Sequence, residues 1–201
     1  MEQKSRVDWI DIMRAIAILL VALYHSVVLG VPEGFADPIW GKVNGVLAGF
    51  RMPIFFFATG LFAESIIGRS WTRLWSSRLA LLVWMFILWT ALRFAYFTAV
   101  PMASRHGEAD PIVLLLSPVW PTTGLWFLHA LVIFFVVSKL IRRFSALIVV
   151  SIATVLSVLF FGILSTGNLS YDGMAQYFVF FLLGLHLREL VLHFNERPRP
   201  L

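Results

Sequence analysis

Long apolar stretches separated by short polar breaks account for almost the whole chain. Each stretch is close to the ~20 residues that a helix needs to cross the hydrocarbon core of a bilayer. They cover residues 10–31, 43–67, 79–100, 124–141, 147–164 and 174–192. This pattern predicts an all-α fold, a polytopic transmembrane helix bundle of about six spans.

The connections between the stretches alternate in charge. Basic residues concentrate before the first stretch and after the second, fourth and sixth, whereas the other connections hold only Lys42 and Arg105 among several acidic residues. The concentrated basic residues are Lys4, Arg6, Arg14, Arg69, Arg73, Arg78, Lys139, Arg142, Arg143, Arg188, Arg197 and Arg199. By the positive-inside rule, this alternation predicts that both termini are cytoplasmic.

Composition supports the membrane interpretation and excludes several classes of site. Sixty per cent of the 201 residues are apolar and 13% are charged, too few to cover a soluble core. The absence of cysteine excludes disulfides, thiolate metal sites and a cysteine nucleophile. Because topology explains the net charge of +5, we expect no nucleic-acid partner. No metal-ligand spacing is present, so we predict no metal.

The sequence therefore predicts a single integral-membrane domain over residues 1–201, in the inner cell membrane with several passes. The first stretch lacks a small-residue cleavage pattern, so we expect a retained helix rather than a removable signal peptide.

The first apolar stretch contains ionisable residues, which are costly at membrane depth. Arg14 and His25 are eleven residues apart, close to three helical turns, so they share one face with an axial separation of about 16 Å. Asp11 can pair with Arg14 on that face. His25 is either a general base or proton relay, or a buried histidine satisfied by a neighbouring helix. Arg14 either binds a ligand or anchors the helix at the interface.

The second stretch carries Arg51 beside Pro53. A proline inside a helix leaves the carbonyl around Gly49 without its donor, and such backbone survives at membrane depth only against protein or a water-filled cavity. Arg51 would then face that cavity or the outer interface. Alternatively, Pro53 lies in the first helical turn, where it costs little.

Three further residues have open interpretations. His129, shortly after Trp126 at the start of the fourth stretch, either joins His25 in an outer cavity or lies at the interface. Arg93 is expected to extend towards the headgroups, and Glu64 to balance Arg69 or Arg73. The prolines of residues 101–123 exclude a single helix there, and the short apolar run 112–116 within this connection is expected to lie in the outer interface or to fold over the bundle.

Three motifs in order resemble the acyltransferase 3 family, most closely the members similar to fucose 4-O-acetylases. The Arg14-x10-His25 pair within residues 11–25 resembles the first helix of that family. Residues 52–62, Met-Pro-Ile-Phe-Phe-Phe-Ala-Thr-Gly-Leu-Phe, resemble its second helix. Residues 125–131, Leu-Trp-Phe-Leu-His-Ala-Leu, resemble its L-W-F-L segment and include Trp126.

The resemblance implies a membrane-bound O-acyltransferase with no permanently bound cofactor. The donor is acyl-CoA, usually acetyl-CoA, and the acceptor is a hydroxyl of a carbohydrate, a lipid-linked glycan or another envelope component. His25 and Arg14 are the implied catalytic residues, with His25 deprotonating the hydroxyl as it attacks the thioester. Arg14 would also hold the CoA phosphates, and an extended pantetheine arm would bridge the two residues. Arg51 is a candidate oxyanion stabiliser.

The chain departs from the family pattern in two ways. The family often has two basic residues three positions apart that bind the donor, and Arg78 matches the second of them, whereas Trp75 stands at the first. Either Arg69 and Arg73 substitute for the missing basic residue, or donor binding differs in this chain. Family members also usually have more helices than the six predicted here. The chain is therefore interpreted as the N-terminal part of a longer fold, and a homo-oligomer is one way to complete the bundle.

Two other functions fit the membrane-embedded charges. A transporter or export component would also use a broken helix and intramembrane ionisable residues, although its usual duplicated halves are not visible in the sequence. An inactive truncated scaffold, in which Arg14 and His25 are structural, is the second alternative.

Overall fold

Helices make up most of the protein that the computed structural model describes, residues 8–100 and 107–196. They are α1 (Asp8–Gly30), α2 (Ile39–Gly60), α3 (Glu64–Ile67), α4 (Trp71–Leu74), α5 (Ala80–Ala99), α6 (Pro111–Leu116), α7 (Trp126–Ile141), α8 (Ala146–Gly162), α9 (Leu169–His186) and α10 (Arg188–Glu196). A π-helix, Trp75–Leu79, joins α4 to α5. Within these described ranges no residue is in a strand, which confirms the all-α prediction.

The six predicted spans correspond to the six long helices α1, α2, α5, α7, α8 and α9, but two boundaries were wrong. The second predicted stretch continued to residue 67, whereas α2 ends at Gly60 and the chain turns into α3. The sixth was predicted to begin at residue 174, whereas α9 begins at Leu169. The Asn168 side chain caps that helix by accepting a hydrogen bond of 2.8 Å from the Ser170 amide.

The apolar surface of the long helices faces outward. The helix Ile39–Gly60 and the continuous segment Trp71–Ala99 are long and apolar enough to span a membrane, yet only 22% and 17% of their most apolar windows are buried. A core helix of a soluble protein would be mostly buried, so these side chains face lipid. The helices Ala15–Gly30, Trp126–Ile141 and Ala146–Gly162 are shorter but also apolar. The protein is therefore a helical membrane bundle.

Helix α9 is the centre of this bundle. Helices α2, α7 and α8 pack against it, α1 packs on the outside of α2, and α5 packs on α7. At the crossing of α2 and α9 the two backbones touch: a Cβ built on Gly60 would overlap the carbonyl oxygen of Phe181, and one built on Gly184 would overlap that of Phe57. Small residues at such crossings let membrane helices approach closely.

Three phenylalanines fill the space beside this crossing. Phe56 of α2, Phe134 of α7 and Phe181 of α9 are each at most 1% exposed. Their ring centroids lie 4.9 Å apart for Phe56 and Phe134, and 5.6 Å apart for Phe134 and Phe181. Tilted aromatic contacts at these distances are favourable, so this cluster holds α2, α7 and α9 together.

The described part of the long connection, from residue 107 onwards, is attached to the bundle at two points. Glu108 forms a two-pronged ion pair with Arg93 of α5, with N–O distances of 2.9 and 2.7 Å. Further along, the Tyr171 hydroxyl of α9 donates a hydrogen bond to the Val119 carbonyl. Glu108 therefore supplies the countercharge of Arg93 beside α5, a pairing that the expected extension of Arg93 towards the headgroups did not include.

Glu64 also has a different partner from the one expected. It pairs with Arg188 at 3.2 Å rather than with Arg69 or Arg73. The crossing of α2 and α9 brings the end of α9 beside α3. Because Glu64 and Arg188 are far apart in the sequence, this contact could not be predicted from the sequence alone. We call this end of the molecule the arginine-rich end, defined by Arg69, Arg73, Arg78, Arg142, Arg143 and Arg188.

Replacing Gly184 by alanine tests the backbone contact. The added Cβ has to displace the α2 backbone, so we expect the free energy of unfolding to fall by about 1–3 kcal/mol, the usual cost of overpacking. Thermal unfolding in detergent measures it. Gly162→Ala is the matched control, because nothing lies within 4 Å of a Cβ built at Gly162. Equal midpoints for the two variants would contradict a tight crossing.

Candidate functional site

Arg51 is the charged residue at the centre of the α1–α2 contact. Arg51 as a whole residue is only 5% exposed, and its Nη2 donates a hydrogen bond of 2.6 Å to Oδ1 of Asn44, two turns earlier on α2. The guanidinium carbon lies 4.4 Å from the ring centroid of Tyr24 on α1, which is cation–π distance. Among the described residues its Nε has no hydrogen-bond partner. Arg51 is thus held from two sides, and its buried Nε–H remains unused.

Pro53 does not interrupt the helix that carries Arg51. It lies inside α2, which continues from Ile39 to Gly60, so the alternative that placed Pro53 in the first turn was wrong. The reason is that the helix begins upstream of the apolar motif, with Pro38 at its N-cap. The carbonyl of Gly49 still loses its helical donor, because proline has no N–H.

His25 lies next to this contact. Its imidazole is half-buried, with its centroid 5.0 Å from that of Tyr24, so His25 and Arg51 share Tyr24 as a neighbour. On another side, the ring covers the backbone of Gly124 just before α7. A Cβ built on Gly124 would lie 2.6 Å from Cε1 of His25. Only glycine at this position leaves room for the imidazole.

Trp126 extends the cluster to α9. Its indole lies over Gly173, where a built Cβ would come within 2.8 Å of Cη2, and it stacks on Tyr177 with centroids 6.0 Å apart. Tyr177 in turn interacts electrostatically with Arg51. The helices α1, α2, α7 and α9 therefore bring His25, Arg51 and Trp126 into one polar and aromatic region.

Sequence reasoning missed three members of this region, namely Tyr24, Asn44 and Tyr177. Asn44 carried a detectable signal, since a polar residue seven positions before Arg51 shares its helix face. Tyr24 lies within the motif around His25. Tyr177 had no such signal, because its contact depends on how α9 crosses α2.

His129 belongs to a different contact, between α7 and α5. Its ring lies 5.9 Å from that of Phe86, and its Nδ1 is buried without a hydrogen-bond partner among the described residues. The hydroxyl of Thr90, one turn after Phe86, is likewise buried without a hydrogen-bond partner among the described residues. His129 therefore faces the helix interface with α5 rather than the bilayer interface.

The expected donor-binding arginines lie at the arginine-rich end. Arg73 in α4 and Arg78 in the π-helix are both exposed, so both can meet a soluble ligand. The backbone of α1 places Arg14 eleven residues before His25, towards this same end. The side chains of Asp11 and Arg14 are outside the described part of the structure. Across the described residues, no three His, Cys, Asp or Glu side chains group to hold a metal ion.

The Arg51–Asn44 contact can be tested with a double-mutant cycle. Asn44→Leu leaves a buried guanidinium with an unpaired donor, so we expect a loss of about 1–3 kcal/mol of stability. Replacing both residues, as Asn44→Leu with Arg51→Met, removes donor and acceptor together and should cost less than Asn44→Leu alone. Unfolding midpoints of the wild type, the two single variants and the double variant measure the coupling. Additive losses would show that the two side chains are not coupled.

Comparison with known proteins places these features in a family. The model of a family described as an acyltransferase domain matches residues 7–201. The chain is also similar to the inner membrane protein YcfT of Escherichia coli (strain K12), with 29% identity over 163 residues. That match covers 71% of this chain and 46% of YcfT, so the chain spans less than half the length of this curated relative. No solved structure matches the chain. The resemblance inferred from three short motifs is confirmed, and the protein belongs to the acyltransferase 3 family.

Proposed function

We propose that the protein is a membrane-bound O-acyltransferase that moves an acetyl group from acetyl-CoA to a hydroxyl of a carbohydrate or lipid-linked glycan of the envelope. The observation that carries the proposal is the grouping of His25, Arg51 and Trp126, because it unites all three family motifs in one region. Family membership supports acyl transfer in general.

His25 has the properties of the general base in this proposal. Its imidazole is half-buried and is positioned by Tyr24 and by the Gly124 backbone. As the acceptor oxygen attacks the thioester carbonyl, the hydroxyl proton moves to His25. When the C–S bond breaks, the same proton passes to the departing CoA thiolate. The products are an ester and CoA thiol, and His25 returns to its starting state.

Arg51 is the proposed oxyanion stabiliser. Negative charge develops on the thioester oxygen during attack, and a preorganised cation in a site of low dielectric constant stabilises it. Asn44 and Tyr24 hold the guanidinium, and the unused Nε is available as a donor. The support for this role is the combination of the deep burial of Arg51 with its unpaired Nε–H.

Donor entry is proposed at the arginine-rich end, with that end and both termini in the cytoplasm of a cell whose inner membrane the chain crosses several times. Exposed Arg73 and Arg78 would bind CoA phosphates there together with Arg14. The pantetheine arm would then run along α1 towards His25, a rise of about 16 Å for eleven residues. The charge alternation along the chain supports this orientation.

His25→Gln tests the proposal directly. Without a base, transfer of label from radioactive acetyl-CoA to the glycan or lipid fraction of membranes should fall by roughly 10²- to 10⁴-fold, the usual contribution of general-base catalysis. His193→Gln is the matched control, because His193 is exposed in α10. Equal transfer by the two variants would contradict the role of His25. Failure of the correctly inserted wild-type chain to transfer label would contradict the enzyme assignment.

Gly124→Ala tests the position of His25 without changing a reactive group. The new Cβ would displace the imidazole, and displacement by about 1 Å can cost as much as 100-fold in rate. We expect a fall in kcat with unchanged binding of acetyl-CoA. Gly45→Ala is the control, because a Cβ there meets nothing within 4 Å. A Gly124→Ala enzyme with wild-type kcat would mean that the contact with Gly124 does not position the base.

A further inference from the structure

An apolar groove separates α7 from α8. The two helices are neighbours in sequence, but each packs on α9 instead of on the other. Two adjoining cavities of about 340 and 110 Å³ lie along the groove and share Val137, Ala153, Leu156 and Phe178 as walls. Nearly all of the surface that lines them is apolar. The groove is therefore suited to a hydrocarbon chain.

One end of the groove is polar. A third cavity of about 250 Å³ adjoins it at the arginine-rich end and shares Ile141, Phe144 and Val149 with the larger apolar cavity. Its polar walls include Ser138, Arg142, His186 and Glu64. Groove and polar cavity together have the shape of a site for an amphiphile.

The charge of the polar cavity favours an anion. Glu64 is already paired with Arg188, whereas Arg142 has no carboxylate partner among the described residues. Ser138 is 2% exposed, and its hydroxyl has no hydrogen-bond partner within the described part of the chain. A buried hydroxyl without a partner is costly, and an arginine beside it completes a binding pair for phosphate oxygens. This arrangement points to a phosphate rather than to a neutral group.

The length of the groove matches one leaflet of a bilayer. Along α7, the walls run from Ile133 at the far end of the groove to Arg142 in the polar cavity, about 14 Å at ~1.5 Å per residue. Half of the hydrocarbon core is about 15 Å thick. A lipid whose phosphate lies at Arg142 would thus place its acyl chain along the whole groove. An apolar helix in the same place would leave the polar end unsatisfied.

We propose that this groove is a binding site for one anionic phospholipid, with an acyl chain between α7 and α8 and the phosphate on Arg142 and Ser138. Basic pockets between transmembrane helices commonly bind anionic headgroups in this way. The site lies between α3, α7, α8 and α9, so it is separate from the region of His25 on α1. The inference does not depend on the proposed enzymatic reaction.

Native mass spectrometry of the detergent-purified chain tests the proposal. We expect retention of one phosphatidylglycerol and much less retention of phosphatidylcholine at equal concentration. Arg142→Gln should reduce phosphatidylglycerol occupancy at least about tenfold, the effect of one lost charged hydrogen bond. Arg143→Gln is the matched control, because the neighbouring arginine does not line the cavity.

A second pair of variants tests the acyl-chain groove. Leu156→Trp fills both apolar cavities, whereas Val155→Trp places the same bulk on the adjacent exposed surface. Only Leu156→Trp should displace the lipid. Glycerol phosphate, which lacks acyl chains, should not compete. Equal retention of phosphatidylglycerol and phosphatidylcholine would overturn the proposal. So would equal phosphatidylglycerol occupancy in Arg142→Gln and Arg143→Gln, or in Leu156→Trp and Val155→Trp. Competition by glycerol phosphate as strong as that by the lipid would also overturn it.

Discussion

The structure depends above all on the backbone contact between α2 and α9 at Gly60 and Gly184. In a bilayer, apolar side chains gain little by leaving lipid for protein, so helices associate through close packing and polar contacts. Two glycines facing each other allow the closest packing that helices can reach. The contact places α9 in the centre of the bundle, beside the helix that carries Arg51. It also brings Tyr177 towards Arg51 and the end of α9 beside Glu64.

The charged residues around the bundle are compensated in three different ways. Arg51 uses an amide and an aromatic ring, and Arg93 uses a carboxylate from the connection to α6. Lys139 donates to backbone carbonyls, with a distance of 2.8 Å to Ile67, where the chain leaves α3. The carboxylate pair neutralises its cation, whereas Arg51 has no carboxylate partner among the described residues and shares Tyr24 as a neighbour with His25. A cation that is held but not neutralised is better suited to a reaction that develops negative charge.

The two ends of the bundle differ in chemistry. His25 and the aromatic region lie towards the end where α1 finishes and α7 begins, and the exposed arginines lie at the other end. In the proposed reaction a donor from one side reaches an acceptor at the other through the protein. The apolar groove between α7 and α8 gives the arginine-rich end a second proposed role, binding an anionic lipid of the bilayer. The two roles are compatible, because they use different arginines and different helices.

The sequence alone determined the fold class, the six long helices and the family, because apolar length and short motifs are local properties of the chain. It also indicated His25, Arg51 and Trp126 as members of a site. It could not pair these residues with Tyr24, Asn44 and Tyr177, nor could it pair Glu64 with Arg188 or Arg93 with Glu108. Those contacts depend on which helix faces meet, and the glycines at the crossing of α2 and α9 decide this only when both helices are assembled. The tertiary structure therefore decided how the buried charges are compensated, since a countercharge close in space can be distant in sequence.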